Sequence, residues 1–345
     1  MASTKPLTAN DPRLAWGQAG LPYFACSFWL RQQFGRRVQK VSVDAGFTCP
    51  NVDGTVATGG CTFCDNRSFS PSRRLPRAGI LGQIDQSIAR MRMRYRNCDD
   101  FLAYFQPATN TYAPVDRLRT LYEGALSHPQ VVGLVIGTRP DCVPDDVLDL
   151  LEHIARSGSS NSRDRAPSRS DGRDRRRPGT YLSLEYGMQT MHDRSLDWMN
   201  RGHHHDAMID AVRRSRGRGF EIGAHVILGL PGESHADMMA TADELGRLGL
   251  DAVKIHNLYC VKNTPLAEQA ARGEVRLMER AEYVRTVVDF IERLPPTMIV
   301  DRISGDAPPD YFVGPSWCLD KPAVKAAVLA EFTRRGTRQG ASYGT

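Results

Sequence analysis

The chain has 345 residues, 41% of them hydrophobic, a formal net charge of +6 and eight cysteines. That length holds one large α/β domain with an appendage. No stretch approaches the length of a membrane span and the first eight residues carry no apolar leader core, so no membrane partner is expected and the default setting is a reducing cytoplasm. The charge is weak evidence for nucleic acid, because +4 of the +6 falls within Ser157 to Gly179. This Arg/Ser-rich run (157–179) has no large apolar residue to bury and reads as a disordered insertion. Its plain role is a solvated loop; contact with RNA is the alternative.

In chain order, residues 1–37 form an N-terminal extension whose Trp16, Tyr23, Phe24, Phe28, Trp29 and Phe34 are expected to pack on a larger body. Val38 to Asp44 alternates apolar and polar residues as a strand does, and leads into a cysteine-bearing loop. Ile80 to Tyr95 has helical spacing. The pattern then alternates: strand 100–106, helix 115–128, strand 131–137, helix 144–156, strand 181–188, helices 192–199 and 206–216, strand 222–228, helix 236–248 and strand 252–258. The continuous apolar run Val131 to Gly137 is the pattern of a strand covered on both faces.

Six β/α units over residues 38–264 predict a parallel sheet with helices outside, an α/β fold that is either a barrel or an open wound sheet. Special residues cluster after the strands, at Gln106 to Tyr112, Thr138 to Asp141, Gly187 to Gln189 and Gly229 to Gly232, where parallel β/α folds place their chemistry. The insertion precedes a strand and so belongs to the opposite end. Residues 265–345 read as a small α+β C-terminal domain with helices at 277–293 and 322–332, a strand at 298–300 and a polar tail expected to fray.

Three of the eight cysteines lie in the loop after the first strand: Cys49, Cys61 and Cys64. Cys61 and Cys64 form a C-x-x-C turn, and Gly54, Gly59 and Gly60 let Cys49 fold back towards it. Gathered thiolates of this kind bind zinc or an iron–sulfur cluster. A structural zinc site wants a fourth ligand, and neither a second C-x-x-C nor a nearby histidine supplies one. Three thiolates on a four-iron cluster leave one iron open to a small molecule. Cys98, Cys142, Cys260 and Cys318 lack ligand spacing and read as buried small residues, with Cys260 a possible hydrogen donor.

Taken together, Asp44-Ala-Gly-Phe-Thr-Cys-Pro-Asn, Gly59-Gly-Cys-Thr-Phe-Cys, Tyr104-Phe-Gln with Asn110-Thr-Tyr-Ala-Pro, Gly137-Thr-Arg-Pro-Asp, Glu185-Tyr-Gly-Met-Gln, Asn200-Arg-Gly-His, His225-Val-Ile-Leu-Gly-Leu-Pro-Gly and Thr264-Pro-Leu-Ala-Glu resemble the radical S-adenosylmethionine (SAM) superfamily. More narrowly, the set is similar to the Elongator-catalytic-subunit-like group and its bacterial subfamily with a dedicated C-terminal domain. The cysteine separations of eleven and two residues match that group's longer first loop. The Gly-Gly-Glu usual after the second strand is missing, with Ala108-Thr-Asn110 near its place.

The resemblance implies a partial (β/α)6 barrel and a 4Fe–4S cluster on Cys49, Cys61 and Cys64, with SAM chelating the open iron. Reductive cleavage of SAM would give a 5′-deoxyadenosyl radical that abstracts hydrogen from the substrate. A flavodoxin- or ferredoxin-type electron donor is the implied partner. By the same resemblance Phe63 lies near the adenine, Gln189 hydrogen-bonds SAM, Arg201 pairs with its carboxylate, His225 sits near the ribose, and Asn110 is a further cofactor contact. His203-His-His205 reads as a turn, because consecutive histidines cannot all face one metal. The implied substrate is tRNA, at a wobble uridine side chain. The alternatives are a radical SAM enzyme for a small metabolite or a protein, and, in another class, a zinc-stabilised RNA-binding module.

Overall fold

The computed structural model describes residues 11–70, 78–157 and 179–344. The expected insertion falls almost wholly on 158–178, outside the described residues. The strands are β1 (Val38–Val43), β2 (Asp100–Phe105), β3 (Val131–Thr138), β4 (Tyr181–Gln189), β5 (Glu221–Leu228), β6 (Ala252–Asn257), β7 (Cys260–Val261), β8 (Ile299–Arg302) and β9 (Phe312–Gly314). The helices are α1 (Ala15–Gln18), α2 (Cys26–Phe34), α3 (Asn66–Phe69), α4 (Ile80–Arg94), α5 (Val115–Leu126), α6 (Asp145–Arg156), α7 (Asp193–Trp198), α8 (His205–Ser215), α9 (His235–Arg247), α10 (Pro265–Ala271), α11 (Arg280–Arg293) and α12 (Lys321–Arg335).

Seven strands form one sheet in the order β1-β2-β3-β4-β5-β6-β8, every neighbouring pair parallel. The short β7 and β9 pair antiparallel beside it. The sheet is curled into a half-barrel. Lys40 on the first strand reaches both Glu185 on β4 (3.0 Å) and Asp301 on the last strand (2.9 Å), which a flat sheet would hold far apart. The α/β partial barrel that the family resemblance implies is therefore present. It carries a seventh strand: β8 pairs with β6, Ala252 opposite Ile299 and Val253 opposite Val300.

The elements follow from local chemistry. β3 is buried along nearly its whole length because helices cover its outer face, as its unbroken apolar run requires. In α6, Val147, Leu148, Leu150, Leu151 and Ile154 recur at helical spacing and all are buried. Ser234 and Asp237 close a reciprocal capping box at the start of α9, and Thr264 caps α10. One continuous core runs from Tyr23 through the strands to Phe332 of α12.

The C-terminal tail corrects the expectation of fraying. Gln339 is buried; its Nε2 donates to the carbonyls of Pro295 (2.7 Å) and Met298 (2.8 Å), and its Oε1 accepts from Phe24 N–H (2.8 Å). The tail lies where it satisfies backbone groups that the N-terminal segment and the approach to β8 leave open. That segment also covers the outer edge of β8, Ala25 bridging to Val300 in parallel.

Candidate functional site

The loop after β1 carries all three cysteines to the carboxyl ends of the strands. Its first turn is tied by Val52 and Asp53 N–H to the Cys49 carbonyl (2.8 and 3.1 Å), and the C-x-x-C turn closes with Cys64 N–H on the Cys61 carbonyl (2.9 Å). Thr62 N–H bonds the Met199 carbonyl (3.0 Å), Thr62 Oγ1 donates to Trp198 (2.9 Å), and Leu266 N–H bonds the Thr62 carbonyl (3.0 Å). Two segments far away in sequence, the end of α7 and the start of α10, therefore clamp the cysteine turn. Phe63 packs on an apolar cluster made by Leu196 of α7 and by Ile227, Leu230 and Leu258 at the ends of β5 and β6.

Arg201 is buried against this turn. Its Nη1 donates to Cys61 Sγ (3.4 Å) and its Nη2 to the Gly187 carbonyl (2.7 Å), while Nε is buried without a partner. It is placed by left-handed backbone at Asn200 and Gly202, where a side chain on Gly202 would strike Val56 and Asn51. Gln189, itself at φ 69°, stands beside Gly187 and Arg201. Gln189, Arg201 and the cysteine turn thus come together.

Asn110 is fully buried after β2. Its Nδ2 donates to the carbonyls of Phe105 (3.0 Å) and Gly137 (2.8 Å), stitching the ends of β2 and β3, and its Oδ1 is buried and unpartnered. His225 lies deeper in the barrel, with Nε2 on Glu185 Oε2 at 2.8 Å. The histidine run diverges: His204 pairs with Asp197 (2.8 Å), His205 with Glu244 (2.7 Å), and His203 lies near Arg201, whose charge adds to burial in pushing it down to about 3.

Two residues with no role assigned from sequence also belong here. Asn51, two residues after Cys49, donates to Cys61 Sγ (3.5 Å) and to the Asn200 carbonyl, and accepts from Arg139 Nη1 (2.6 Å). Arg139 is itself forked onto Asp141 (2.9 and 2.7 Å). Their motifs, Cys-Pro-Asn and Thr-Arg-Pro-Asp, are visible in the sequence, but their pairing across 88 residues is not.

Burial raises the Cys64 thiol, Cys61 and Cys49 raise it further, and Arg201 opposes them. Cys64 therefore lies within electrostatic reach of both other cysteines. Among the described residues no three His, Cys, Asp or Glu side chains converge tightly enough to enclose a single metal ion. Of the remaining cysteines, Cys98, Cys142, Cys260 and Cys318 are all buried, and Cys318 accepts from Asn257 Nδ2 at 2.9 Å.

Comparison with known proteins fits this arrangement. The radical SAM C-terminal domain family matches residues 250–334. YtqA of Bacillus subtilis is 38% identical over 318 residues, 92% of each chain. A protein of Methanocaldococcus jannaschii named tRNA uridine(34) acetyltransferase is 26% identical over 133 residues, 38% of this chain and 25% of its own. Among solved structures, Elp3 of Methanocaldococcus infernus superposes with a TM-score of 0.58 at 18% identity, over 88% of this chain and 64% of that one. The chain belongs to the radical SAM enzyme family, and its fold is that of the Elp3 structure. Membership implies a 4Fe–4S cluster and SAM as cofactors and an external reductant.

Proposed function

We propose that Cys49, Cys61 and Cys64 hold the 4Fe–4S cluster, that SAM occupies the space bounded by Phe63, Asn110, Gln189 and Arg201, and that the substrate is tRNA. The observation that carries the cofactor assignment is the set of unpaired polar atoms around the cysteines. Arg201 Nε and Asn110 Oδ1 are buried without partners, a donor for a carboxylate and an acceptor for an ammonium group. An amino acid end of SAM presents those two charges together. Cys61 already accepts from Arg201 and Asn51.

Held by Cys49, Cys61 and Cys64, the cluster would supply the electron for reductive cleavage of SAM. The chain's part is positional. Arg201 orients the carboxylate, Gln189 closes that side, and Phe63 with its apolar neighbours keeps water from the adenosyl end. His225, expected near the ribose, has its Nε2 on Glu185.

The tRNA reading is supported by the similarity to the tRNA uridine(34) acetyltransferase. A flavodoxin- or ferredoxin-type donor and a cytoplasmic setting accompany it. Anaerobic reconstitution, reduction and addition of SAM should give 5′-deoxyadenosine from the wild type and none from Cys61→Ala. Purified protein that neither retains tRNA nor shifts it on a gel would turn the reading towards a small metabolite or a protein substrate.

A further inference from the structure

The inner face of the half-barrel carries a charged floor and, beside it, a group of hydrogen-bond donors with nothing to bind. The floor is closed on itself. Glu185 Oε2 meets Lys254 Nζ (2.7 Å), Tyr104 hydroxyl (2.9 Å) and His225 Nε2 (2.8 Å), and Asp301 bridges Lys40 (2.9 Å) to Lys254 (3.2 Å). Two lysines face two carboxylates, so the floor is balanced without a ligand.

The residues next to it are not satisfied. His256 lies tilted against His225 with ring centres 5.6 Å apart, and its Nε2 is buried with no partner. Burial, and then the charge of Arg302, hold it well below its ordinary value, so it is a neutral ring. Tyr259 follows two residues after the end of β6, stacked on Phe312, and its hydroxyl has no hydrogen-bond partner among the described residues. Gly305 backs both rings: a side chain there would come 2.7 Å from His256 Nδ1 and 2.9 Å from Tyr259 Cε1. Arg302, in register with Lys254, is partly buried and near enough to act on both His256 and Tyr259. It has no ion pair or hydrogen bond among the described residues. The neighbouring acid, Asp306, is engaged by Lys321 at 2.6 Å.

We infer that His256, Tyr259 and Arg302 form a subsite for a phosphate group of the substrate, at the carboxyl end of β6 and β8. A partly buried guanidinium without a counter-ion is costly to hold, and a phosphate brings several acceptor oxygens to meet its fork. The ring N–H and the phenol supply two further donors. The cysteine turn lies close by, since Phe63 packs on the apolar cluster that contains Leu258, the residue before Tyr259. The ligand's identity as substrate rests on the radical SAM reading; the subsite itself does not.

The test uses full-length reconstituted protein with SAM present, titrated calorimetrically with inorganic phosphate and with uridine 5′-monophosphate. Wild type should bind uridine 5′-monophosphate saturably, and Arg302→Gln should weaken it at least tenfold while SAM affinity and melting temperature stay unchanged. Gly305→Ala, which displaces His256 and keeps the charge, should weaken it as well. Inorganic phosphate binding as tightly as the nucleotide would assign the subsite to free phosphate rather than a nucleic-acid backbone. No saturable binding of either anion, binding undiminished in Arg302→Gln, or a parallel loss of SAM binding would overturn the proposal. Formation of 5′-deoxyadenosine in the same preparation separates the readings: if it forms without anion binding, only the subsite fails. If Arg302-dependent binding occurs without it, only the radical reading fails.

Discussion

Arg201 links Cys61 to Gly187: one arm of its guanidinium donates to the sulfur at 3.4 Å and the other to the carbonyl at 2.7 Å. A methyl group on Gly187 would lie 2.5 Å from Arg201 Nη2 and 2.9 Å from Gln189 Nε2. Gly187→Ala must therefore push Arg201 off the cysteine turn without removing its charge. SAM affinity should fall about tenfold, near 1.4 kcal/mol, with iron content unchanged. Calorimetric titration of SAM beside an iron assay checks both halves of this expectation.

The barrel floor gives a stability prediction. Replacing Glu185 with Gln leaves Lys40 and Lys254 against Asp301 alone in a buried setting, at a cost of about 3–5 kcal/mol. Urea unfolding of the two proteins measures it; a difference under about 1 kcal/mol would show the charges to be hydrated.

Acid should unfold the protein through the same group. Burial raises the Glu185 carboxyl, but Lys254, Lys40 and His225 outweigh it and leave it well below the ordinary range. A carboxylate depressed in the folded state adds stability that is complete above its unfolded value and is lost as pH falls through the folded one. The melting temperature should hold from pH 7 to about 5, drop below about 4, and drop less steeply in Glu185→Gln. Asp301, held low by Lys40 and Lys254 against its burial, keeps part of the acid limb in the variant.

Cys142 tests which sulfurs matter. It lies near Cys49, but burial, followed by Asp141, pushes its thiol up to about 12, so it remains protonated at neutral pH. Cys49→Ala, Cys61→Ala and Cys64→Ala should each lose bound iron on reconstitution, and Cys142→Ala should retain it. Iron assay and the visible absorbance of the cluster distinguish the four variants.

The tail is equally testable. Gln339→Ala strips one acceptor from buried Phe24 N–H and two donors from the Pro295 and Met298 carbonyls. A loss of about 2–4 kcal/mol is expected, from groups left unsatisfied rather than from lost area. Thermal unfolding that matches wild type would mean water replaces the side chain.

The sequence by itself determined the alternation of strands and helices from β1 to β6, because period-two and 3.6-residue patterns are local properties of the chain; the short helices α2 and α10 and the β7–β9 pair were not legible in it. It also determined the cysteine turn, since a C-x-x-C pair and its glycines lie within sixteen residues. Motif order was enough to indicate Gln189 and Arg201, which the fold brings together beside the cysteine turn. Only the tertiary structure decided what faces those residues. Asn51 meets Arg139, Lys40 meets Asp301 across 261 residues, and His225 turns to Glu185. Ile299–Arg302 joins the main sheet and Gln339 ties the tail, although both read locally as parts of a separate end of the chain. Such pairings depend on sheet curl and strand register, and the burial that makes them matter exists only once the half-barrel has formed.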